Sequence, residues 1–221
     1  MTLGKTGAVA LAWLFALPSL AGDVKGAVKF SGPAPTLPSI PATRDQQVCG
    51  QTIQNETVEV AGGKLKNVVI TLSGGSLPKP PPNKISIDQH QCRYHPHVQA
   101  TSAGSTIEII NSDPLLHNIH GYLGAATVFN LAMPLKNQKI PKVLSKAGLV
   151  HIKCDIHNWM TAYVVVSDTP YSVDDDDGAF TIKDVPAGTY TVTAWQEKYG
   201  QKTAQVTVPA SGSATVDFAF P

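Results

Sequence analysis

The stretch Cys154-Asp155-Ile156-His157-Asn158-Trp159-Met160 decides how the rest of the chain is interpreted. It lies between two segments of alternating apolar and polar residues, Leu149 to Cys154 and Thr161 to Val166, which indicate β-strands. The loop between them therefore carries a thiolate, an imidazole and a thioether within seven residues. Together these soft and borderline ligands suit a copper ion that cycles between Cu(I) and Cu(II). A trigonal site of two imidazoles and one thiolate needs one more histidine from elsewhere in the chain.

Length and composition favour an all-β fold. The chain has 221 residues, with 18 glycines and 17 prolines spread along it, and segments with helical periodicity are scarce. Such a composition is typical of many short strands joined by turns. Without its N-terminal segment the chain keeps about 200 residues, enough for one large β domain or two small ones.

The N-terminal segment, residues 1–21, is typical of an exported protein. It has one charged residue, Lys5, then an apolar run from Ala8 to Pro18, and then Ser19-Leu20-Ala21, with small residues where a signal peptidase cleaves. We interpret it as a secretory signal peptide that is too short and too weakly flanked for a stable membrane span. The mature chain would begin near Gly22 without a membrane span, and the periplasm is the expected location.

The charge of the mature chain is balanced. Removing Lys5 leaves 17 minus 1, or 16, basic side chains against 16 acidic ones. A neutral surface gives no reason to propose nucleic acid or an anionic membrane as a partner.

Three cysteines in an exported protein leave one unpaired. Cys49 and Cys92 lie in polar, loop-like surroundings, so we predict that they form a disulfide in an oxidising compartment. Cys154 is then the free thiolate that a metal would bind. The alternative, that Cys154 is a buried core cysteine, leaves His157 and Met160 beside it unexplained.

Prolines and turns divide the mature chain. The strongest break in composition is Ser73 to Asn83, which ends in Lys-Pro-Pro-Pro-Asn and is a candidate domain boundary. Predicted strands follow from Lys84 to Val166, interrupted by an irregular stretch from Gly124 to Ser145. A further series runs from Ala179 to Phe220. The four aspartates Asp174–Asp177 before it predict a solvated turn, because a calcium loop needs alternating aspartates and a distal glutamate.

His117 is the best candidate for the missing imidazole. It follows the predicted strand Thr106–Asn111 and the turn Ser112-Asp113-Pro114, and it opens the next strand. In a β-sandwich this arrangement can bring a side chain to a loop between two other strands at the same pole. Because side chains alternate along a strand, His120 and His151 should face away from the site.

Two further histidines share a face of the predicted strand Tyr94–Val98. His95 and His97 could form a second, weak metal site, although an ordinary surface or inter-strand hydrogen bond is the preferred interpretation. His90 has no pattern around it.

The region from Lys84 to Ser167 resembles the cupredoxins, the blue-copper proteins. It shares with them a strand that ends in Asn-x-Asp, a histidine after the turn, and a late Cys-x2-His-x2-Met loop with amicyanin-like spacing. The resemblance implies a Greek-key sandwich with one copper ion per chain. His117, Cys154 and His157 would lie in the trigonal plane and Met160 would be the long axial ligand.

The resemblance also implies roles for neighbours of the ligands. Asn118 would hydrogen-bond across to the cysteine loop, and the carbonyl of Leu116 would approach the metal from the other side. Independently of the resemblance, we expect the side chains of Trp159, Ile156 and Leu116 to form a rigid apolar shell that excludes water and raises the reduction potential.

Residues Pro170 to Pro221 resemble the carboxypeptidase regulatory-like, transthyretin-type β-sandwich. The shared features are a Pro-Ala-Gly turn and the alternation of Phe180, Ile182, Tyr190 and Val192. Modules of this family are usually structural or adhesive, so no catalytic residue is carried over. Their first strands resemble Gly26–Gly32 and Asn67–Thr71 of this chain.

The expected domain arrangement is therefore an insertion. Residues 22–83 would complete the sandwich of residues 169–221, and the cupredoxin-like domain, residues 84–168, would be inserted between them.

The function expected from the sequence is that of an exported mononuclear type 1 copper protein, which passes one electron between redox partner proteins. We do not expect an enzyme, because protein side chains fill all four copper positions and leave none for a substrate. Two alternatives stay open. The protein could bind and deliver copper as Cu(I) without cycling, or it could be a structural β-module whose metal site is vestigial.

Overall fold

The computed structural model describes residues 21–173 and 178–221. These residues form twenty-one strands and one helix of four residues, so the prediction of an all-β fold is confirmed. No helix in the described ranges is long and apolar enough to span a membrane. The predicted signal peptide, apart from Ala21, and the aspartates 174–177 lie outside the described residues.

The strands fall into three groups along the chain. The N-terminal elements are β1 (Ala21–Phe30), β2 (Ile40–Pro41), α1 (Gln46–Cys49), β3 (Thr52–Ile53), β4 (Val60–Ala61), β5 (Lys64–Leu65) and β6 (Val69–Ser73). The central strands are β7 (Lys84–His90), β8 (Arg93–His95), β9 (Val98–Ser102), β10 (Ser105–Asn111), β11 (His117–Leu123), β12 (Ala126–Met133), β13 (Gln138–Leu144), β14 (Gly148–Lys153) and β15 (Thr161–Ser167). The C-terminal strands are β16 (Tyr171–Val173), β17 (Ala179–Pro186), β18 (Gly188–Gln196), β19 (Gly200–Val208), β20 (Ser213–Thr215) and β21 (Phe218–Phe220).

The central strands form two sheets that enclose one core. Their orders are β13-β10-β7-β8 and β12-β11-β14-β15-β9. In β10, Ile107 and Ile109 are buried while Glu108 between them is exposed, because successive side chains of a strand point to opposite faces. Ile119 of β11 and Ile152 of β14 meet them in the same core from the second sheet. This central sandwich carries the candidate site at one pole.

Strands from both ends of the chain share the second sandwich. β1 pairs antiparallel with β17 and parallel with β20 and β21, and β6 pairs antiparallel with β16 and β18. Their apolar side chains form a separate core that includes Val28, Ile70, Phe180 and Val192. These pairings are those expected if residues 22–83 complete the C-terminal sandwich. The domain boundaries themselves stay a prediction.

One part of the N-terminal segment packs on the central sandwich instead. Ala42, Cys49 and Ile53 are buried in the central core. The predicted disulfide is present, and it ties Cys49 at the end of α1 to Cys92 between β7 and β8. A crosslink between residues 43 positions apart lowers the entropy of the unfolded chain, a stabilisation of about 4 kcal/mol. Residues 40–53, which we call the cover segment, are thereby fixed over the central sandwich.

The stretch from Gly124 to Ser145 is not irregular, so that prediction is wrong. It forms β12, which pairs with β11, and β13, which pairs with β10 in the other sheet of the central sandwich. Both are edge strands, and most of their residues are exposed, which hides the alternation of apolar and polar residues. An edge position also tolerates Pro141 within β13, because its missing N–H is not needed by a second neighbour.

The prediction of one continuous strand from Tyr94 to Val98 is also wrong. The His95–Pro96 peptide bond is cis, β8 ends at His95, and β9 begins at Val98 in the other sheet. The chain passes from one sheet to the other between His95 and Val98, so the alternation of one strand does not continue across Pro96. His95 and His97 therefore do not share a face. His97 is buried and hydrogen-bonded to Glu197 of the second sandwich.

Candidate metal centre

Three of the predicted copper ligands meet at one pole of the central sandwich. His117 opens β11, Cys154 follows β14, and His157 lies in the loop before β15. The Nδ1 atoms of the two imidazoles lie 3.1 Å apart, and Nδ1 of His157 lies 3.8 Å from Sγ of Cys154. The three ligand atoms lie within 4.8 Å of one another. The structure therefore brings together two imidazoles and a thiol that could bind one metal ion.

Hydrogen bonds within the loop fix its shape. The N–H of His157 donates to Sγ of Cys154 over 3.4 Å, and the N–H of Met160 donates to the carbonyl of His157 over 2.9 Å. The N–H of Cys154 donates to the carbonyl of Met160 over 3.3 Å. The loop thus folds back on itself and holds the buried Met160, the fourth predicted ligand, beside Cys154 and His157.

The thiol of Cys154 is acidic in this setting. Burial alone would raise its pKa, but hydrogen bonds with the rings of His117 and His157 and with the N–H groups of His157 and Asn118 lower the pKa from 9.0 to about 6. A metal binds the thiolate rather than the thiol. At pH 7 most of the metal-free side chain is therefore already in the form that binds metal.

Asp113 orients the imidazole of His117 through the ring nitrogen that faces away from the site. Nε2 of His117 donates to Oδ2 of Asp113 over 2.8 Å, and the buried carboxylate also accepts the N–H groups of Gln91 and Cys92. Burial raises the pKa of Asp113, but the hydrogen bond from His117 and those from the two backbone N–H groups lower it below its ordinary value. A carboxylate on the outer nitrogen orients a ligating histidine, so Nδ1 faces the site. The sequence analysis did not predict this role. The only signal for it in the sequence is that Asp113 lies four residues before His117.

Asp45 of the cover segment holds His157 in the same way. Nε2 of His157 donates to Oδ2 of Asp45 over 3.0 Å. His157 itself is 0% exposed, whereas the side chain of Asp45 is 46% exposed at the outer surface. Asp45 has φ 52, a left-handed conformation that aspartate, asparagine and glycine adopt more readily than other residues. No sequence pattern links two residues that are 112 positions apart.

The disulfide lies directly beside both imidazoles. The sulfur atoms of Cys49 and Cys92 lie within 4.8 Å of a ring nitrogen of His157, and the sulfur of Cys92 lies within the same distance of a ring nitrogen of His117. Sulfurs that are bonded to each other are not thiolates, so Cys49 and Cys92 are not candidate ligands of the metal centre formed by His117, Cys154 and His157. Their role is to fix the cover segment, and with it Asp45, against the histidines.

Asn118 and Trp159 make specific contacts around the loop. Oδ1 of Asn118 accepts the N–H of Asp155 over 2.8 Å, which is the contact across to the cysteine loop that the family resemblance implies. Trp159 is buried, and its Nε1 donates to the carbonyl of Cys92 over 3.1 Å. The indole ring lies 5.1 Å from the ring of His157. Trp159 therefore packs the loop against the disulfide.

The predicted shielding role of the Leu116 side chain is wrong. This side chain is 45% exposed. Successive side chains point to opposite sides at the start of β11, so Leu116 faces solvent because His117 faces the site. Burial of the site comes from the cover segment and Trp159 instead.

His120 and His151 point away from the site. His120 contacts Asp155, with Nδ1 and Oδ2 3.1 Å apart, on the outer face of β11. The ring of His151 stacks on Tyr163, with ring centroids 4.6 Å apart. Neither residue belongs to the group of converging ligand atoms around Cys154.

Comparison with family models identifies the C-terminal part of the chain. Residues 161–221, less than half of the chain, match the model of the carboxypeptidase regulatory-like domain. The resemblance seen in the sequence is therefore confirmed, with a match that begins at Thr161 rather than at Pro170. A search of curated proteins found no match to this chain.

The similar solved structures include amicyanins and a purple cupredoxin. A reduced amicyanin variant is 27% identical with a TM-score of 0.34, covering 38% of this chain and 82% of that chain. Another amicyanin variant, in the Cu(I) form, is 24% identical with a TM-score of 0.33, covering 44% and 99%. The purple cupredoxin from Nitrosopumilus maritimus is 23% identical with a TM-score of 0.33, covering 37% and 98%. Similarity with TM-scores this low carries no weight for function, which depends on the site itself.

Proposed function

We propose that this protein binds one copper ion and carries one electron at a time between redox partner proteins. The observation that carries the proposal is the convergence of a ring nitrogen of His117, a ring nitrogen of His157 and Sγ of Cys154 within 4.8 Å of one another. The two Nδ1 atoms lie 3.1 Å apart, and Nδ1 of His157 lies 3.8 Å from Sγ of Cys154. Two imidazoles and one thiolate with a weak methionine ligand are the donor set of blue-copper electron-transfer sites. The side chains at this pole therefore fit copper.

The chain contributes rigidity to such a site. His117, Cys154 and His157 would hold the ion through the three converging atoms, and Met160 through its thioether. When bound, copper would supply a one-electron Cu(II)/Cu(I) couple. The loop is closed by its own hydrogen bonds, and each imidazole donates to a carboxylate on its outer side. These contacts keep the donors in place when the charge at the site changes, which favours fast electron transfer.

The chain also closes the site to water. His117 and His157 are 0% exposed, and Cys154 and Met160 are buried beside them. Four donors from one chain in a closed site leave no position for a substrate, which supports a carrier rather than an enzyme. Burial also supports electron transfer over copper delivery, because delivery needs a site from which the ion can leave.

Export to the periplasm is part of the proposal. It is supported by the apolar N-terminal segment of the sequence and by the disulfide, because disulfides persist in oxidising compartments.

A spectrum of the copper-loaded protein tests the function. We expect one copper per chain and intense visible absorption from thiolate-to-Cu(II) charge transfer, which disappears on reduction and returns on reoxidation. A loaded protein that stays colourless or does not reoxidise would contradict the carrier. Transfer of Cu(I) to an acceptor without cycling would instead indicate delivery. If the site is vestigial, adding copper should leave the free energy of unfolding unchanged. If the site binds copper, a free copper concentration of about 100 times the dissociation constant should raise the free energy of unfolding by about 2.7 kcal/mol.

Replacing Asp45 should weaken copper binding. Asp45→Gly removes the carboxylate at His157 without backbone strain, since glycine readily adopts the left-handed conformation of this position. Loss of an outer hydrogen-bond partner of a ligand typically costs about 10–100-fold in affinity, which competition with a chelator would measure. Asp45→Asn is the matched control, because its amide oxygen still accepts the hydrogen bond and should lose less. Equal affinities for all three proteins would show that Asp45 does not act through His157.

A further inference from the structure

The outer face of the hairpin β7–β8 carries a second group of metal-binding side chains. We propose that His90, His95 and Asp88 bind a borderline divalent cation such as Cu(II) or Zn(II). Asp88 pairs with His95 in the register, and His90 pairs with Arg93. His90 and His95 are therefore diagonal neighbours across the two strands. The proposed site contains none of the four predicted copper ligands.

The alternation of the hairpin places these side chains on one face. Gln89 and Tyr94, which pair in the middle of the hairpin, are both 0% exposed. Because successive side chains point to opposite faces, the side chains on either side of this pair point outward together. A cation from solvent can therefore approach the exposed imidazole of His90 without entering the core.

The two imidazoles are separated by about the largest distance that one metal ion can span. Their ring centroids lie 6.4 Å apart. Metal–nitrogen bonds of about 2.0–2.1 Å place each centroid about 3.2 Å from the metal, so two ligating rings can lie up to about 6.4 Å apart. The side chain of His90 is 53% exposed and can rotate. Rotation of this side chain towards His95 would bring the rings to the shorter separation that a four-coordinate site requires.

Asp88 offers an oxygen that its protein neighbours do not satisfy. Its Oδ2 accepts a hydrogen bond from Oγ of Ser112 over 2.7 Å. Its Oδ1 is buried and has no hydrogen-bond partner among the described residues. A buried polar atom without a partner is rare in folded proteins, because its desolvation is not compensated. A cation held with His95, directly opposite in the register, would provide that compensation.

The surrounding charges favour a bound cation. Arg93 lies on the same face of the hairpin as His90 and His95. The positive charge of Arg93 is itself offset by Glu56, with Nη1 and Oε1 3.2 Å apart. Oδ1 of Asp113 lies 3.8 Å from Nδ1 of His90. Asp88 therefore lies opposite His95 and Asp113 lies close to His90, and these two negative charges would attract a cation.

Asp113 connects the proposed site with the first one. Its Oδ2 accepts the hydrogen bond of His117, while its Oδ1 faces His90. A cation on the hairpin would thus lie on the outer side of the same carboxylate that orients His117. The two sites nevertheless use different ligands, so each can be tested separately.

Titration with Zn(II) tests the second site. The full chain, without a histidine tag, is first loaded under reducing conditions with one equivalent of Cu(I), which the thiolate and thioether of the first site bind in preference to imidazoles alone. Zn(II) is then added in a calorimeter. We expect one equivalent to bind, and in nuclear magnetic resonance spectra the ring signals of His90 and His95 should shift. His90→Ala and His95→Ala should each weaken binding at least about 100-fold, since loss of even an outer partner costs about 10–100-fold. Asp88→Asn should weaken it by about 10-fold on the same scale.

His120→Ala is the control, because it removes another outer-face imidazole and should leave the Zn(II) affinity unchanged. Circular dichroism would show that each variant is folded. The proposal is overturned if no Zn(II) binds to the copper-loaded chain, or if His90→Ala and His95→Ala bind it as tightly as the original protein. If the first site binds no copper, the proposed function fails but this proposal can still be tested. Zn(II) binding that is weakened in His90→Ala and His95→Ala would then be assigned to the hairpin.

Discussion

Cys154→Ser is expected to abolish the visible absorption of the copper-loaded protein and its reversible one-electron reduction. The absorption requires a thiolate as electron donor to Cu(II), and a serine hydroxyl is neither ionised at pH 7 nor a soft ligand. The contacts that lower the pKa of Cys154 to about 6 cannot ionise a hydroxyl in the same way. Absorption spectra and cyclic voltammetry of the two loaded proteins would measure the loss.

Met160→Leu is the control for this prediction. It keeps the thiolate and both imidazoles, so it should retain the colour while its reduction potential changes. In the copper-free protein the ultraviolet absorbance of the thiolate should titrate near pH 6 and be absent in Cys154→Ser. A serine variant that keeps the visible band would show that Cys154 is not the donor.

Asp113→Ala is expected to have the largest effect on stability. It leaves the N–H groups of Gln91 and Cys92 and Nε2 of His117 without their buried acceptor. Removing one partner of a buried, hydrogen-bonded ion pair typically costs about 3–5 kcal/mol. Urea unfolding of the copper-free protein, followed by tryptophan fluorescence, would measure the change in the free energy of unfolding.

The dependence on pH gives a second measurement for Asp113. Its native pKa lies below its ordinary value, so its stabilising contribution is present above the unfolded pKa of about 3.9 and is lost as the pH falls through the native pKa. The original protein should therefore lose stability more steeply below about pH 4 than Asp113→Ala does. The half-exposed Asp168 provides a control: Asp168→Asn should change the free energy of unfolding by no more than about 0.5 kcal/mol. An equally small change in Asp113→Ala would contradict the role given to Asp113.

The sequence by itself determined the features that depend on close spacing. Alternation with a period of two residues predicted the β fold, and the loop from Cys154 to Met160 predicted a thiolate, an imidazole and a thioether in one place. His117 could be added because a short turn leads directly to it from the preceding strand. The odd number of cysteines led to the disulfide between Cys49 and Cys92. Each of these inferences uses residues a few positions apart or a count along the chain.

The tertiary structure alone decided what surrounds those ligands. Asp45 reaches His157 only because the cover segment packs on the central sandwich rather than on the second one. His90 and His95 become neighbours through the register of a hairpin. Such contacts depend on which surfaces pack together and on where strands lie in a sheet. Local spacing carries no information on either, so the ligands could be predicted from the sequence while the groups that orient and cover them could not.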